Sequence, residues 1–145
     1  MLYNQPAVDL DEPIEVQGTK VLVVDDEHAI RRFLRTSLSA HGYEVHEAAT
    51  GEDAILQAIN IRPDLIILDL GLPGIDGIEV TKRIREWTQT PIIILSVQNR
   101  DTDKIEALDV GADDYLTKPF SIGELIARLR VAMRHARKEE PDLVF

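Results

Sequence analysis

Three stretches of the chain are apolar without interruption: Val21-Leu22-Val23-Val24, Leu65-Ile66-Ile67-Leu68 and Ile92-Ile93-Ile94-Leu95. Runs of this length, rich in β-branched residues and bounded by Gly and Pro, read as strands covered on both faces, and such strands belong to parallel sheets. Between them the apolar period changes to that of a helix. Ile30, Phe33, Leu34 and Leu38 form one stripe, closed at His41-Gly42, and Ala54, Ile55, Ala58 and Ile59 form a second. Tyr43 to His46 reads as a short strand between the two. Ile78, Val80, Ile84 and Trp87 mark a third helix, Ile105 and Leu108 a short fourth ended by Gly111, and Asp113 to Thr117 a weak, polar fifth strand. The last helix starts at Ser121, whose hydroxyl can cap it with Glu124 three residues on, and it buries Leu125, Ile126, Leu129 and Met133. Strands alternating with helices of this length predict a flavodoxin-like, doubly wound α/β domain, a (βα)5 unit with a five-stranded parallel sheet and helices on both faces.

The polar residues that follow each strand carry the chemistry. Ligands of open α/β sheets sit in the crevice beyond the carboxyl ends of the strands. That edge collects Asp25 and Asp26, Asp69, Ser96 and Lys118. Asp69 alone can be read as the start of a turn, but two apolar strands ending in acid are harder to dismiss. Three converging carboxylates repel one another, so a cation is expected, and oxygen-only ligation points to Mg²⁺ or Mn²⁺. Lys118 adds a second positive charge and Ser96 a hydrogen-bond donor. The crevice thus suits three anionic oxygens beside a carboxylate nucleophile, which describes an aspartyl phosphate.

Composition narrows the function classes. The chain has 145 residues, 44% of them hydrophobic, enough for one domain with a core and tails. There are no cysteines, so thiolate metal sites and disulfides are excluded and a cytoplasmic location is expected. No apolar run approaches the ~20 residues of a membrane span, and no direct membrane binding is expected. The net charge is −10; the first 18 residues hold four of the 26 acids and none of the 16 bases, leaving −6 for the remainder. That balance argues against direct contact with nucleic acid. Residues 1–18 read as a flexible acidic leader without a sustained period, residues 19–137 as the folded domain and 138–145 as the start of a linker. His28, His41, His46 and His135 share no metal-ligand spacing and receive no role, and Trp87 is read as packing.

The ordered set Val24-Asp25-Asp26-Glu27, Ile67-Leu68-Asp69, Leu95-Ser96 and Gly111-Ala112-Asp113-Asp114-Tyr115-Leu116-Thr117-Lys118-Pro119-Phe120 closely resembles the receiver domains of two-component response regulators. The last stretch is similar to the OmpR/PhoB subfamily of transcription regulators. Ala29-Ile30-Arg31-Arg32-Phe33-Leu34-Arg35-Thr36, Leu68-Asp69-Leu70-Gly71-Leu72-Pro73 and Phe120-Ser121-Ile122-Gly123-Glu124-Leu125 are most similar to the regulators of Kdp-type potassium-transport operons. The resemblance implies that Asp69 accepts a phosphoryl group from a sensor histidine kinase, a membrane-bound one of the KdpD type. It implies Mg²⁺ on Asp26, Asp69 and the Gly71 carbonyl, with Asp25 acting through water. Lys118 pairs with the phosphoryl group, and Ser96 and Tyr115 form the switch. Such a domain is a phosphoacceptor rather than an enzyme, with only self-directed phosphotransfer and autodephosphorylation. Val97 and Gly71 depart from the family's usual residues, near phosphoryl access and the attacking water respectively.

The resemblance also implies a homodimer through helix four, strand five and helix five, pairing Lys104 with Glu124, Asp109 with Arg130 and Asp114 with Arg128 around Ile105, Leu108 and Ala127. DNA would be contacted only through a C-terminal winged-helix domain beyond this chain. The sharp bend needed to aim Lys118 over the strand ends predicts a cis Lys118-Pro119 bond, since only a bond before Pro makes cis cheap. Alternatives are a stand-alone interaction module or an aspartyl-phosphate phosphatase. Against the phosphatase stands Gly71, where its acid catalyst would be. A flavin carrier of the same fold is excluded because Asp25-Asp26-Glu27 would repel a phosphate.

Overall fold

The computed structural model describes residues 17–139. The leader and linker expectations fall largely on residues 1–16 and 140–145, which lie outside the described residues. The order of elements is β1 (Lys20–Val24), α1 (His28–Ala40), β2 (Glu44–Ala48), α2 (Gly51–Ile61), β3 (Leu65–Leu68), α3 (Gly77–Arg85), β4 (Ile92–Ser96), α4 (Asp101–Asp109), β5 (Asp114–Thr117) and α5 (Ile122–Glu139). All strand pairs are parallel, in the order β2-β1-β3-β4-β5. This is the expected five-stranded, doubly wound α/β sheet.

Alternation along each strand explains why the runs are apolar throughout, because successive side chains enter opposite layers. Val21, Val23, Ile67, Ile93 and Leu95 face one core with Leu34 and Leu38 of α1 and Leu125 and Leu129 of α5. Leu22, Val24, Ile66, Leu68, Ile92 and Ile94 face the other with Ala54 and Ala58 of α2, Val80 and Ile84 of α3 and Ala107 of α4. The central strands are therefore sealed, and only their ends are available to polar groups.

Several boundaries differ from the sequence reading for local reasons. β2 begins one residue later than expected and runs on to Ala48, and Tyr43 turns into the α1–α5 core instead. α3 ends at Arg85, so Trp87 lies beyond it and is 46% exposed rather than packed away. In α4 the inner position is Ala107, while Ile105 and Leu108 face outward at 56% and 45% exposure. In α5, Ala132 is buried and Met133 only partly so. The Ser121 hydroxyl accepts the Glu124 N–H at 3.0 Å, as its spacing predicts. Gly111, at φ +122°, ends the α4 segment in a conformation that favours glycine.

Gly77 places α3 directly behind the end of β3. Its N–H donates to the Leu70 carbonyl at 3.0 Å, and a Cβ there would stand 2.5 Å from the Asp69 carbonyl oxygen. Asp76 caps the helix by accepting from the Glu79 N–H at 2.9 Å.

Candidate functional site

The sheet brings the sequence-predicted polar residues to one edge. Asp25 follows β1, and its Oδ1 accepts the Glu27 N–H at 2.9 Å in a local turn. Asp69 follows β3, its N–H continuing the ladder to the Val24 carbonyl at 3.0 Å, so the two carboxylates are neighbours because their strands are. Oxygen atoms of Asp25, Asp26 and Asp69 all lie within 4.8 Å of one another. Asp25 is buried, Asp69 is 9% exposed and Asp26 opens to solvent.

Lys118 enters from the far strand. Its N–H donates to the Ser96 carbonyl at 2.8 Å, prolonging β5 along β4, and the next peptide bond, to Pro119, is cis. Its Nζ donates to Asp25 Oδ2 at 2.9 Å and stands 3.8 Å from Asp69 Oδ2. One ammonium thus faces three carboxylates, an uncompensated negative balance whose oxygen-only donors fit a hard divalent cation.

The electrostatics agree. Burial raises the Asp69 pKa above the ordinary carboxylate value; Lys118 opposes that shift, while Asp25 and Asp26 add to it. The backbone bond Asp69 receives from Gly71 is long, at 3.4 Å. Burial by itself would lower the Lys118 pKa, but the Asp25 hydrogen bond and the charges of Asp69, Asp25 and Glu27 outweigh it and leave it raised. Lys118 therefore stays an ammonium.

Ser96, the last residue of β4, closes the pocket, 1% exposed, its Oγ accepting the Gln98 N–H at 3.1 Å. The Tyr115 hydroxyl donates to the Gln98 carbonyl, and its ring packs against the α2–α3–α4 core. Burial raises the Tyr115 pKa, and the Ser96 hydroxyl opposes it. Ser96 and Tyr115 are thereby tied to one residue, Gln98, which the sequence reading did not single out. Its backbone makes both bonds, so no side-chain pattern announces it.

Arg31 was quoted only within a motif, yet its Nη1 donates to the Asp25 carbonyl at 2.8 Å and its Nε to Glu47 Oε1 at 3.0 Å. The spacing of Arg31 from Glu27, one helical turn, is the signal that it reaches back over the end of β1. Val97 is exposed, and the open side of Gly71 faces the Gln98 side-chain amide.

The residues expected at a dimer surface cluster on α4, β5 and α5, at the sheet edge formed by β5. Ile105, Leu108, Asp109, Ala127 and Arg130 are exposed there, with Lys104 partly so. Within the single chain Arg128 already grips Asp114 at 3.0 Å and Glu124 at 3.0 Å. Asp114 and Arg128 are thus near neighbours within one chain.

A parallel sheet with an acidic, lysine-bearing crevice at its carboxyl edge defines a phosphoacceptor class of doubly wound domain. The family model "Response regulator receiver domain" matches residues 21–130, and the chain belongs to that family. It is 58% identical over 125 residues to the KDP operon transcriptional regulatory protein KdpE of Escherichia coli, covering 86% of this chain and 56% of that protein. It is 49% identical over 127 residues to the transcriptional regulatory protein KdpE of Mycobacterium tuberculosis, covering 85% and 56%. The chain thus spans little more than half the length of these relatives. Among solved structures, the Francisella response regulator 1452 receiver domain superposes with a TM-score of 0.78 at 39% identity, covering 82% of this chain and 99% of that one. No described helix is long and apolar enough to cross a membrane.

Proposed function

We infer that Asp69 accepts a phosphoryl group from the phosphohistidine of a sensor kinase. The carrying observation is the pairing of a buried strand-end carboxylate with Lys118 at 3.8 Å inside a three-carboxylate cluster. In the transfer an Asp69 oxygen bonds to phosphorus as the bond to the kinase imidazole breaks, and that ring leaves with its electron pair. Lys118, held on Asp25, offsets the charge of the phosphoryl oxygens. Asp26, Asp69 and the Gly71 carbonyl are the groups to hold Mg²⁺, or Mn²⁺, with Asp25 acting through water. The bound cation supplies charge neutralisation where carboxylate and phosphoryl oxygens meet.

Ser96 is the hydroxyl to donate to a phosphoryl oxygen. Its O–H can donate while its Oγ accepts the Gln98 N–H, and Tyr115 hangs on the same residue, so a shift of Ser96 towards the phosphoryl group pulls on the segment that holds the ring. The shared tether to Gln98 supports a coupled switch towards the α4-β5-α5 face. There a two-fold axis would exchange the partners of Arg128, setting Asp114 against the other chain's Arg128, Lys104 against Glu124 and Asp109 against Arg130, around Ile105, Leu108 and Ala127. Gly71, without a side chain, and Val97 set how fast water returns the carboxylate. Similarity to the KdpE proteins supports control of potassium-transport genes in the cytoplasm, through a KdpD-type sensor kinase and a DNA-binding part beyond this chain.

Acetyl phosphate with Mg²⁺ should add one phosphoryl group by intact mass, none in Asp69→Asn and none after chelation. Label that persists in Asp69→Asn refutes the assignment. Sedimentation with beryllofluoride should show a dimer that Arg128→Glu abolishes; an intact dimer in that variant moves the interface elsewhere.

A further inference from the structure

A second feature lies at the opposite edge of the sheet, where the phosphoryl chemistry has no use for it. A cavity of about 520 Å³ opens between the ends of α2 and α3, walled by Ala58, Ile59, Arg62, Trp87, Thr88 and Thr90. Arg62 leads into β3 and Thr88 and Thr90 into β4, which puts the cavity at the amino-terminal edge of the strands. Its mouth is unusually apolar for a surface: Ile59 is 50% exposed, Trp87 46%, and Leu56 stands exposed one turn earlier on α2. Arg62 adds a positive charge at the rim, exposed, in left-handed backbone at φ +54°. Among the described residues no ion pair engages it.

The chain itself carries a segment of matching chemistry that joins at this edge. Residues 1–16 lead into Gln17, three residues before β1. At the start of β1 the Lys20 N–H donates to Asp64 Oδ2 at 2.9 Å and its carbonyl accepts from the Asp64 N–H at 2.8 Å, two residues beyond Arg62. Extended from Gln17, residues 8–16 span at most about 30 Å. Over two short stretches, Val8-Asp9-Leu10-Asp11 and Ile14-Glu15-Val16, too short to make a sustained period, apolar and acidic residues alternate on either side of Glu12-Pro13. An extended segment of that pattern presents apolar side chains on one face and carboxylates on the other. Residues 1–16 contain four acids and no base, the complement of an apolar cavity with an arginine rim.

We propose that residues 8–16 of the same chain occupy this cavity, their apolar side chains covering Ile59 and Trp87 and their carboxylates facing Arg62. The leader then closes an exposed apolar surface that would otherwise favour association. Trp87 is the only tryptophan in the chain and lines the cavity, so its fluorescence reads the occupant directly. In the full chain its emission should be shifted to the blue and weakly quenched by acrylamide. Leu10→Asp/Ile14→Asp should move the emission to the red and steepen the quenching, and Arg62→Glu should do the same. Acetyl-phosphate labelling should be unchanged in all three proteins, which certifies their fold. Either variant leaving Trp87 emission and quenching as in the parent chain overturns the proposal. A blue shift that disappears on dilution also overturns it, by assigning the cavity to a second copy.

Discussion

Replacing Asp69 by Asn removes one negative charge from the strand-end pocket and preserves its shape. Asp25 and Asp26 lie within 4.8 Å of Asp69, and like charges at that separation repel by about 3 kcal/mol each at an effective dielectric near 20. Lys118, 3.8 Å away, returns about 4 kcal/mol on the same scale, and it is already engaged by Asp25. Solvent screens the open Asp26, whereas burial of Asp69 acts in the same direction as the repulsion. The balance leaves the metal-free carboxylate unfavourable by about 1–3 kcal/mol, in the sense given by its raised pKa. Asp69→Asn should therefore be more stable than the parent chain in EDTA by that amount, read from urea unfolding followed by circular dichroism. Millimolar Mg²⁺ should erase or reverse the advantage, because ligand binding stabilises only the chain that binds it. The advantage should also shrink as pH falls from the raised folded pKa towards the ordinary carboxyl value of 3.8, because over that range the parent carboxyl gains its proton in the folded state first. An Asn variant that is equally or less stable in EDTA would show that the pocket stores no such repulsion.

The backbone behind the pocket predicts a steric failure: Gly77→Ala drives a Cβ to 2.5 Å from the Asp69 carbonyl and 2.7 Å from Leu70 Cα, and should lower unfolding free energy by about 3 kcal/mol and slow acetyl-phosphate labelling. Arg85→Met should cost roughly 3 kcal/mol in the same urea assay, since the largely buried guanidinium donates to the Gly111, Thr88 and Thr90 carbonyls and to Asp113. The Glu47 pKa is lowered chiefly by its hydrogen bond to Arg35, burial opposing and Arg31 assisting, so its contribution is full above the ordinary value of 4.5 and lost as pH falls through the lowered folded value. Glu47→Gln should accordingly cost about 0.5–1 kcal/mol at pH 7, discounted for its partial exposure, and progressively less as pH falls through the lowered folded value.

What the sequence revealed and what it hid follow from how each residue type carries information. Uninterrupted runs such as Ile92 to Leu95 announce buried strands because no other element needs both faces apolar over so short a length, and the residues ending those runs were therefore placed correctly. β5 was legible only weakly, because an edge strand has one ladder partner and Asp114, Tyr115 and Thr117 are half-exposed. Trp87 misleads about depth: an apolar residue at helical spacing says that a helix exists, but not which side is covered. Arg31, Arg85 and Gln98 were invisible as site or scaffold residues. Their task is to satisfy backbone carbonyls or to offer their own backbone, and a long polar side chain looks the same in the sequence whether it reaches inward or into solvent.

The hydrogen bond between Lys118 and Asp25 joins residues 93 positions apart. During synthesis the acids of β1 and β3 emerge long before the strand that neutralises them, and a chain arrested anywhere before β5 lacks the ammonium altogether. The same holds for a molecule whose last strand and helix have come loose. The charge balance of the pocket is thus a mark of completed folding: an unfinished or damaged copy lacks the one ammonium that faces the carboxylate cluster.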